Sequence, residues 1–207
     1  MYQPPHHREE RLDVQHALIQ SQPFGLLISS GTQGLLANAI PFLLQQTLGS
    51  LGTLEAHMAR ANDQWRDIDG QQVLVVFQGL QAYVSPSFYE TKRETGKVVP
   101  TWNYAMVQVR GIARLRTDSA WLDKQIQALA TQHEMGRTPS WAVSDAPRTY
   151  IESQLRGIVG MEIEIAAIEG KWKVSQNRPE SDRRGVADGL SQSNPAMSDL
   201  VKRYGNI

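Results

Sequence analysis

Apolar and polar positions alternate through most of this chain, and only a few stretches carry the three-to-four spacing of a helix. Residues 8 to 20 are predicted to be helical. "FGLLISS", Phe24 to Ser30, reads as a strand, and "GTQG", closed by Gly34, turns it into a hairpin. The next run, "LLANAIPFLL", alternates poorly and contains Pro41, so it predicts a strand that bends or lies at a sheet edge. "LGTLEAHM" and "QQVLVVFQGLQAYVSP" continue the strand pattern, with a tight connection or bulge between two strands expected at Gly79. "NYAMVQVRGIARL" predicts one long strand. Asp118 is placed to cap the helix "SAWLDKQIQALATQHE", whose Trp121, Leu122, Ile126 and Leu129 share an apolar face. A second helix is expected from Asp145, with Pro147 in its first turn, followed by the strands "IVGMEIEIAAIEG" and "KWKVSQ". From Asn177 the chain turns polar and rich in turn formers, which predicts a loosely held tail. The expected division is a domain over 1–178 and a polar C-terminal tail over 179–207. Several strands interrupted by single helices, without regular strand-helix alternation, favour a barrel-like, mainly β member of the α+β class.

Composition narrows the functional classes. Lys plus Arg and Asp plus Glu both number 21 in 207 residues, so net charge gives no reason to expect broad attraction to a phosphate backbone. The 41% hydrophobic content is enough for a sizeable core. Cysteine is absent, which removes disulfides, thiol catalysis and cysteine-held metal. The stretch "MYQPPHHREERLDV" has no apolar signal region, no run approaches the roughly 18 apolar residues of a membrane span, and a cytoplasmic location is expected. Dinucleotide and phosphate-loop fingerprints and paired zinc histidines are missing. His6 and His7, with Glu9 and Glu10, read as solvated surface and not as a metal cage, and His16 and His133 as surface or core-edge residues.

Three polar clusters stand out. "EAHMARANDQW" brings His57, Arg60 and Asn62 to a strand end; the others are "YVSPSFYETKRETGKVVPTWNY" and "KWKVSQNR". Each sets cationic or amide donors beside aromatic rings, a mixture suited to a planar ligand with a phosphate: rings stack, guanidinium grips phosphate, amides address ring heteroatoms. The competing reading makes Trp65, Trp102 and Trp172 core or interface aromatics with locally satisfied polar tips.

"GTLEAHMARANDQW", "VLVVFQGLQAYVSPSFY", "KVVPTWNY", "DAP" before "IVGMEIEI", and "KWKVSQNR" followed by "GV" and "GL" resemble the PaiB family in order and spacing over nearly the whole chain. The resemblance implies a six-stranded antiparallel FMN-binding split barrel with peripheral helices, related to pyridoxamine phosphate oxidase. It implies a homodimer in which each flavin site is built from both chains. Carried over by position, Arg60 is the expected phosphate ligand with His57 and Asn62 beside it, and Lys92 is a second cation. Thr101, Trp102, Asn103 and Tyr104 match the family's "PTWNY" and would face the ligand or the partner chain. Lys173, Ser175 and Gln176 lie on the strand from which such barrels lend a basic residue to the partner's flavin. The chain departs from the family where Asn38-Ala39 replaces Thr-His and where Gln108 replaces His. The expected function is FMN binding, with flavin-dependent oxidoreduction; no residue is singled out as catalytic. One alternative is a negative transcriptional regulator acting through DNA or a protein partner, for which "RR" at Arg183 and Arg184 and the terminal "VKRY" are the best features. Another is a haem-binding or haem-degrading relative, with His57 its sole candidate.

Overall fold

The computed structural model describes all 207 residues, which divide into two compact units. One comprises Met1–Leu18, Gln78–Val107 and Glu169–Ile207; the other comprises Ile19–Phe77 and Gln108–Ile168. The elements run β1 (Arg8–Glu9), α1 (Leu12–Ser21), β2 (Phe24–Gly31), β3 (Gly34–Gln45), β4 (Thr53–Ala59), β5 (Gln72–Val84) and α2 (Glu90–Thr95). They continue with β6 (Thr101–Arg116), α3 (Ser119–Glu134), α4 (Arg148–Arg156), β7 (Ile158–Lys173), α5 (Glu180–Leu190) and α6 (Pro195–Gly205). The hydrogen-bonded order is β1-β7-β4-β3-β2-β5-β6, with β7 also paired to β6. Six strands therefore form a closed cycle, as expected of a split barrel, and the two-residue β1 is a seventh strand that the sequence did not announce.

In the second unit, Gly31 and Gly34 close the β2–β3 hairpin, with Gly34 at a φ of +89° that favours glycine. Pro41 lies in the interior of the sheet and not at its edge. It is tolerated because β3 changes partner there: residues 34–41 pair with β2, and 42–45 pair with β4. Inward positions Leu27, Phe42, Leu54, Val75, Phe77, Met161 and Ile163 are all buried, and Phe42 meets Phe77 edge-to-face at 5.6 Å. Asp118 caps α3 by accepting from the Trp121 amide (2.7 Å), and Leu122 packs with Ile151 and Leu155 of α4. Helix α4 starts later than expected: Pro147 is its N-cap residue, while Asp145 ends a short 3-10 turn and accepts from the Ala142 amide.

The first unit corrects three expectations. Strand β5 runs unbroken through Gly79, where an added Cβ would lie 3.0 Å from Leu18 Cδ1 and 3.3 Å from the Ala105 carbonyl oxygen; the glycine serves close packing, not a turn. Strand β7 is likewise one 16-residue strand, and a Cβ added at Gly170 would lie 2.8 Å from Glu9 O. The expected loose tail forms α5 and α6, whose Val186, Ala187, Leu190, Met197 and Val201 bury against Ala82, Val84, Tyr89 and Val174. Its few apolar residues sit at helical spacing, and each fully buried Val or Met contributes roughly 1.5–3 kcal/mol.

Candidate functional site

The stretches "PTWNY" and "KWKVSQ" meet within one chain. Successive residues of β6 alternate, so Asn103, Ala105 and Val107 point inward while Trp102, Tyr104 and Met106 take the other face. Lys173 Nζ donates to Thr101 Oγ1 and to the Trp102 carbonyl (2.6 Å). Buried Asn103 donates through Nδ2 to Ser175 Oγ (3.0 Å), and the Ser175 hydroxyl returns a bond to Asn103 Oδ1 (3.2 Å). Ser175 holds this position with a left-handed φ of 70°. The two motifs thus meet within one chain.

Trp102 and Tyr104 line a groove of about 360 Å³ together with Gln78, Gln81, Ala105 and Met106. Trp102 is 53% exposed and meets the equally exposed Tyr83 edge-to-face at 6.0 Å. Behind the groove stand two lysines on one face of β7. Lys171 is buried, places Nζ 5.4 Å from the Tyr104 ring centre and 5.2 Å from that of Tyr2, and donates to Tyr2 O (2.9 Å). Burial, then the positive charges of Lys171 and Arg178, push the Lys173 ammonium below the usual lysine range. Both lysines bond neutral oxygens, so neither ammonium is paired with a carboxylate.

His7 belongs to the same neighbourhood and is buried, as is Glu9, against the expectation of a solvated terminus. Gln176 Nε2 donates to Trp172 O (2.6 Å) and Gln176 Oε1 accepts from the Val174 amide (2.9 Å), which fixes the amide orientation. His7 Nδ1, 3.0 Å from the same Oε1, must then be the proton-bearing nitrogen. Burial, with His6, Lys173 and Lys171 adding to it and the Gln176 bond opposing, holds the His7 imidazole down at about 4. Glu9 feels burial upward, but bonds from Arg11 and Tyr204 outweigh it and hold the carboxyl at about 2.

The remaining expected residues lie elsewhere. Arg60, in the second unit, donates from Nε to Arg156 O (3.0 Å) and from Nη2 to Ile158 O (3.1 Å), so part of its guanidinium ties down the end of α4. Asn62 caps a 3-10 turn by accepting from the Gln64 amide (3.1 Å), and Trp65 Nε1 donates to Arg60 O (2.9 Å). His57 Nδ1 lies 2.7 Å from Gln125 Oε1. Lys92 is exposed on α2. Of the basic residues offered for DNA, Arg184 pairs with Glu180 (2.7 Å) and Arg183 donates to Arg178 O (3.0 Å). Sequence reasoning passed over Lys171, Gln78 and Gln81. The two-residue spacing of Lys171 and Lys173, which puts both on one strand face, was the available signal.

Residues 1–167 match the family model described as "Putative FMN-binding domain". An uncharacterized protein of Emericella nidulans is 36% identical over 100% of this chain and 98% of its own length. The Bacillus subtilis protease synthase and sporulation protein PAI 2 is 29% identical over 98% of this chain and 95% of its own. Among solved structures, the flavocytochrome Anf3 of Azotobacter vinelandii superposes with a TM-score of 0.61 at 12% identity, covering 80% of this chain and 68% of that one. The FAD and heme binding protein of Mycobacterium smegmatis superposes with a TM-score of 0.60 at 14% identity, covering 81% of this chain and 73% of that one. At such identities the superpositions establish a shared fold. Because the family model spans most of the chain, this chain belongs to the family described as a putative FMN-binding domain, built on a split-barrel fold.

Proposed function

We propose that the protein binds FMN as a homodimer and serves as a flavin-dependent oxidoreductase. The observation that carries this reading is the groove of the first unit, where Trp102 and Tyr104 supply an aromatic wall and Gln78 and Gln81 supply amides. These groups fit a flavin ring: the aromatic faces stack on it and the amides match its ring heteroatoms. A bound flavin would supply hydride or electron transfer. The chain's part is to hold and orient the ring and to place the Lys171–Lys173 positive charge beside it, which favours an electron-rich ring over an oxidised one. Exposed Leu80, Tyr83 and Trp102 on the same unit support association with a second copy.

The test is titration of the full chain with FMN, followed by flavin fluorescence, with sedimentation at micromolar concentration. We expect bound flavin that co-migrates with a dimer. In Trp102→Ala the affinity should fall about two- to tenfold, the range for losing one aromatic contact. A protein that neither retains FMN nor quenches its fluorescence would overturn the reading.

A further inference from the structure

Lys173 of the first unit is bonded in a way that a neutral amine satisfies as fully as an ammonium. Its Nζ donates to two acceptors, Thr101 Oγ1 and the Trp102 carbonyl (2.6 Å), and neither is a carboxylate. An amine has two N–H groups and one lone pair. Both N–H groups can stay on Thr101 and Trp102 after the third proton leaves, and the lone pair then points away from both acceptors. The surroundings favour that loss. Lys173 is half-buried, and its charged neighbours are Lys171 on its own strand and Arg178 in the segment that follows, both positive. Lys171 sits over the rings of Tyr104 and Tyr2, 5.4 and 5.2 Å from their centres, where a cation is favoured. Buried His7, on the N-terminal segment, adds no negative charge. Burial, then Lys171 and Arg178, hold the Lys173 ammonium below the usual lysine range.

A desolvated lysine beside a second cation is the arrangement that makes its amine a nucleophile toward a carbonyl carbon. A receptor for the planar part of such an electrophile adjoins it. Trp102, whose carbonyl holds Nζ, lines the groove of about 360 Å³ together with Tyr104. We infer that Lys173 is a nucleophilic amine that condenses with the aldehyde of a small planar molecule stacked in this groove. The Nζ lone pair bonds to the carbonyl carbon, a C=N bond replaces the C=O bond, and the oxygen leaves as water with the two amine hydrogens. The product is an imine, and no oxidant or reductant is consumed. Gln78 and Gln81, in the same lining, match polar substituents on the ring. The inference shares the groove with the flavin reading but needs no bound flavin, so the two can fail separately.

The experiment treats the flavin-free, full-length chain with benzaldehyde and cyanoborohydride at neutral pH, which reduces each imine to a stable secondary amine, and locates the label by peptide mass spectrometry. Exposed Lys92, Lys97, Lys124 and Lys202 are controls within the same sample. Half-buried Lys173 should be labelled about tenfold faster than any of them, a small part of what proximity can give a bound reactant. Its rate should level off at a lower pH than theirs, which a merely structural lysine would not show. Propanal, which has no ring to stack, should lose most of this preference, as should benzaldehyde acting on Trp102→Ala. Lys173→Arg keeps donors for Thr101 and Trp102 but has no nucleophilic lone pair, and should abolish the fast phase of label uptake. Labelling that follows exposure, a pH profile for Lys173 like that of Lys124, equal preference for the two aldehydes, or a fast phase that survives Lys173→Arg overturns the inference. Fast labelling of Lys173 in a chain that retains no FMN sinks the flavin reading and leaves this one standing.

Discussion

Lowering the pH from 7 to 4 should destabilise this protein mainly through one side chain, His7. Its imidazole is 4% exposed, and its proton-bearing Nδ1 is committed to Gln176 Oε1, so a second proton has to be taken up at Nε2 among Lys171, Lys173 and His6. The folded chain titrates this group at about 4, against an ordinary value of 6.5. The unfolded chain therefore binds the extra proton first, and stability falls as pH drops through that window. The contribution is fully present above 6.5 and lost by about 4; at 1.36 kcal/mol per pH unit it amounts to about 3 kcal/mol. Urea unfolding at a series of pH values, for wild type and His7→Gln, measures it. The wild-type curve should steepen between 6.5 and 4 while that of the variant stays flatter by about 2–3 kcal/mol over the same span. Parallel curves, or an NMR titration placing His7 near 6.5, would refute the reasoning.

Gly111→Ala should cost several kcal/mol, because the new Cβ would stand 2.2 Å from the Glu164 carbonyl oxygen and neither backbone has room to move; thermal unfolding reads it directly. Tyr204→Phe removes the hydroxyl that donates to buried Glu9, so the variant should lose about 1–2 kcal/mol at neutral pH, measured by urea unfolding, and less at pH 2, where Glu9 takes up its proton.

Local chemistry in the sequence announced what depends on neighbouring residues. Asp118 was legible as a cap because its side chain needs nothing but the amide three residues on, and the β2–β3 hairpin because Gly34 has to turn the chain. Gly79 and Gly170 misled because a strand glycine marks either a break or a close approach, and which applies depends on Leu18, Ala105 and Glu9, far away in the chain. The C-terminal helices were obscured by their polar composition. Asn194 before Pro195 is nevertheless a legible start signal: Asn194 Oδ1 accepts from the Met197 amide (3.1 Å). At the site, residue types were readable but partners were not. Nothing in "HH" shows that His7 is buried on Gln176, and nothing in "KWKVSQ" shows that Lys173 reaches Thr101 of its own chain.

Ser175 has a consequence for anyone redesigning this protein. Its left-handed backbone is a place where glycine costs less than serine, so a search for more stable sequences that scores backbone comfort position by position would replace it. The replacement would leave Asn103, 1% exposed, without the hydroxyl it shares. Position 175 therefore rewards a choice made for its own backbone and for Asn103 of β6 at once, and single-site optimisation would go wrong there first.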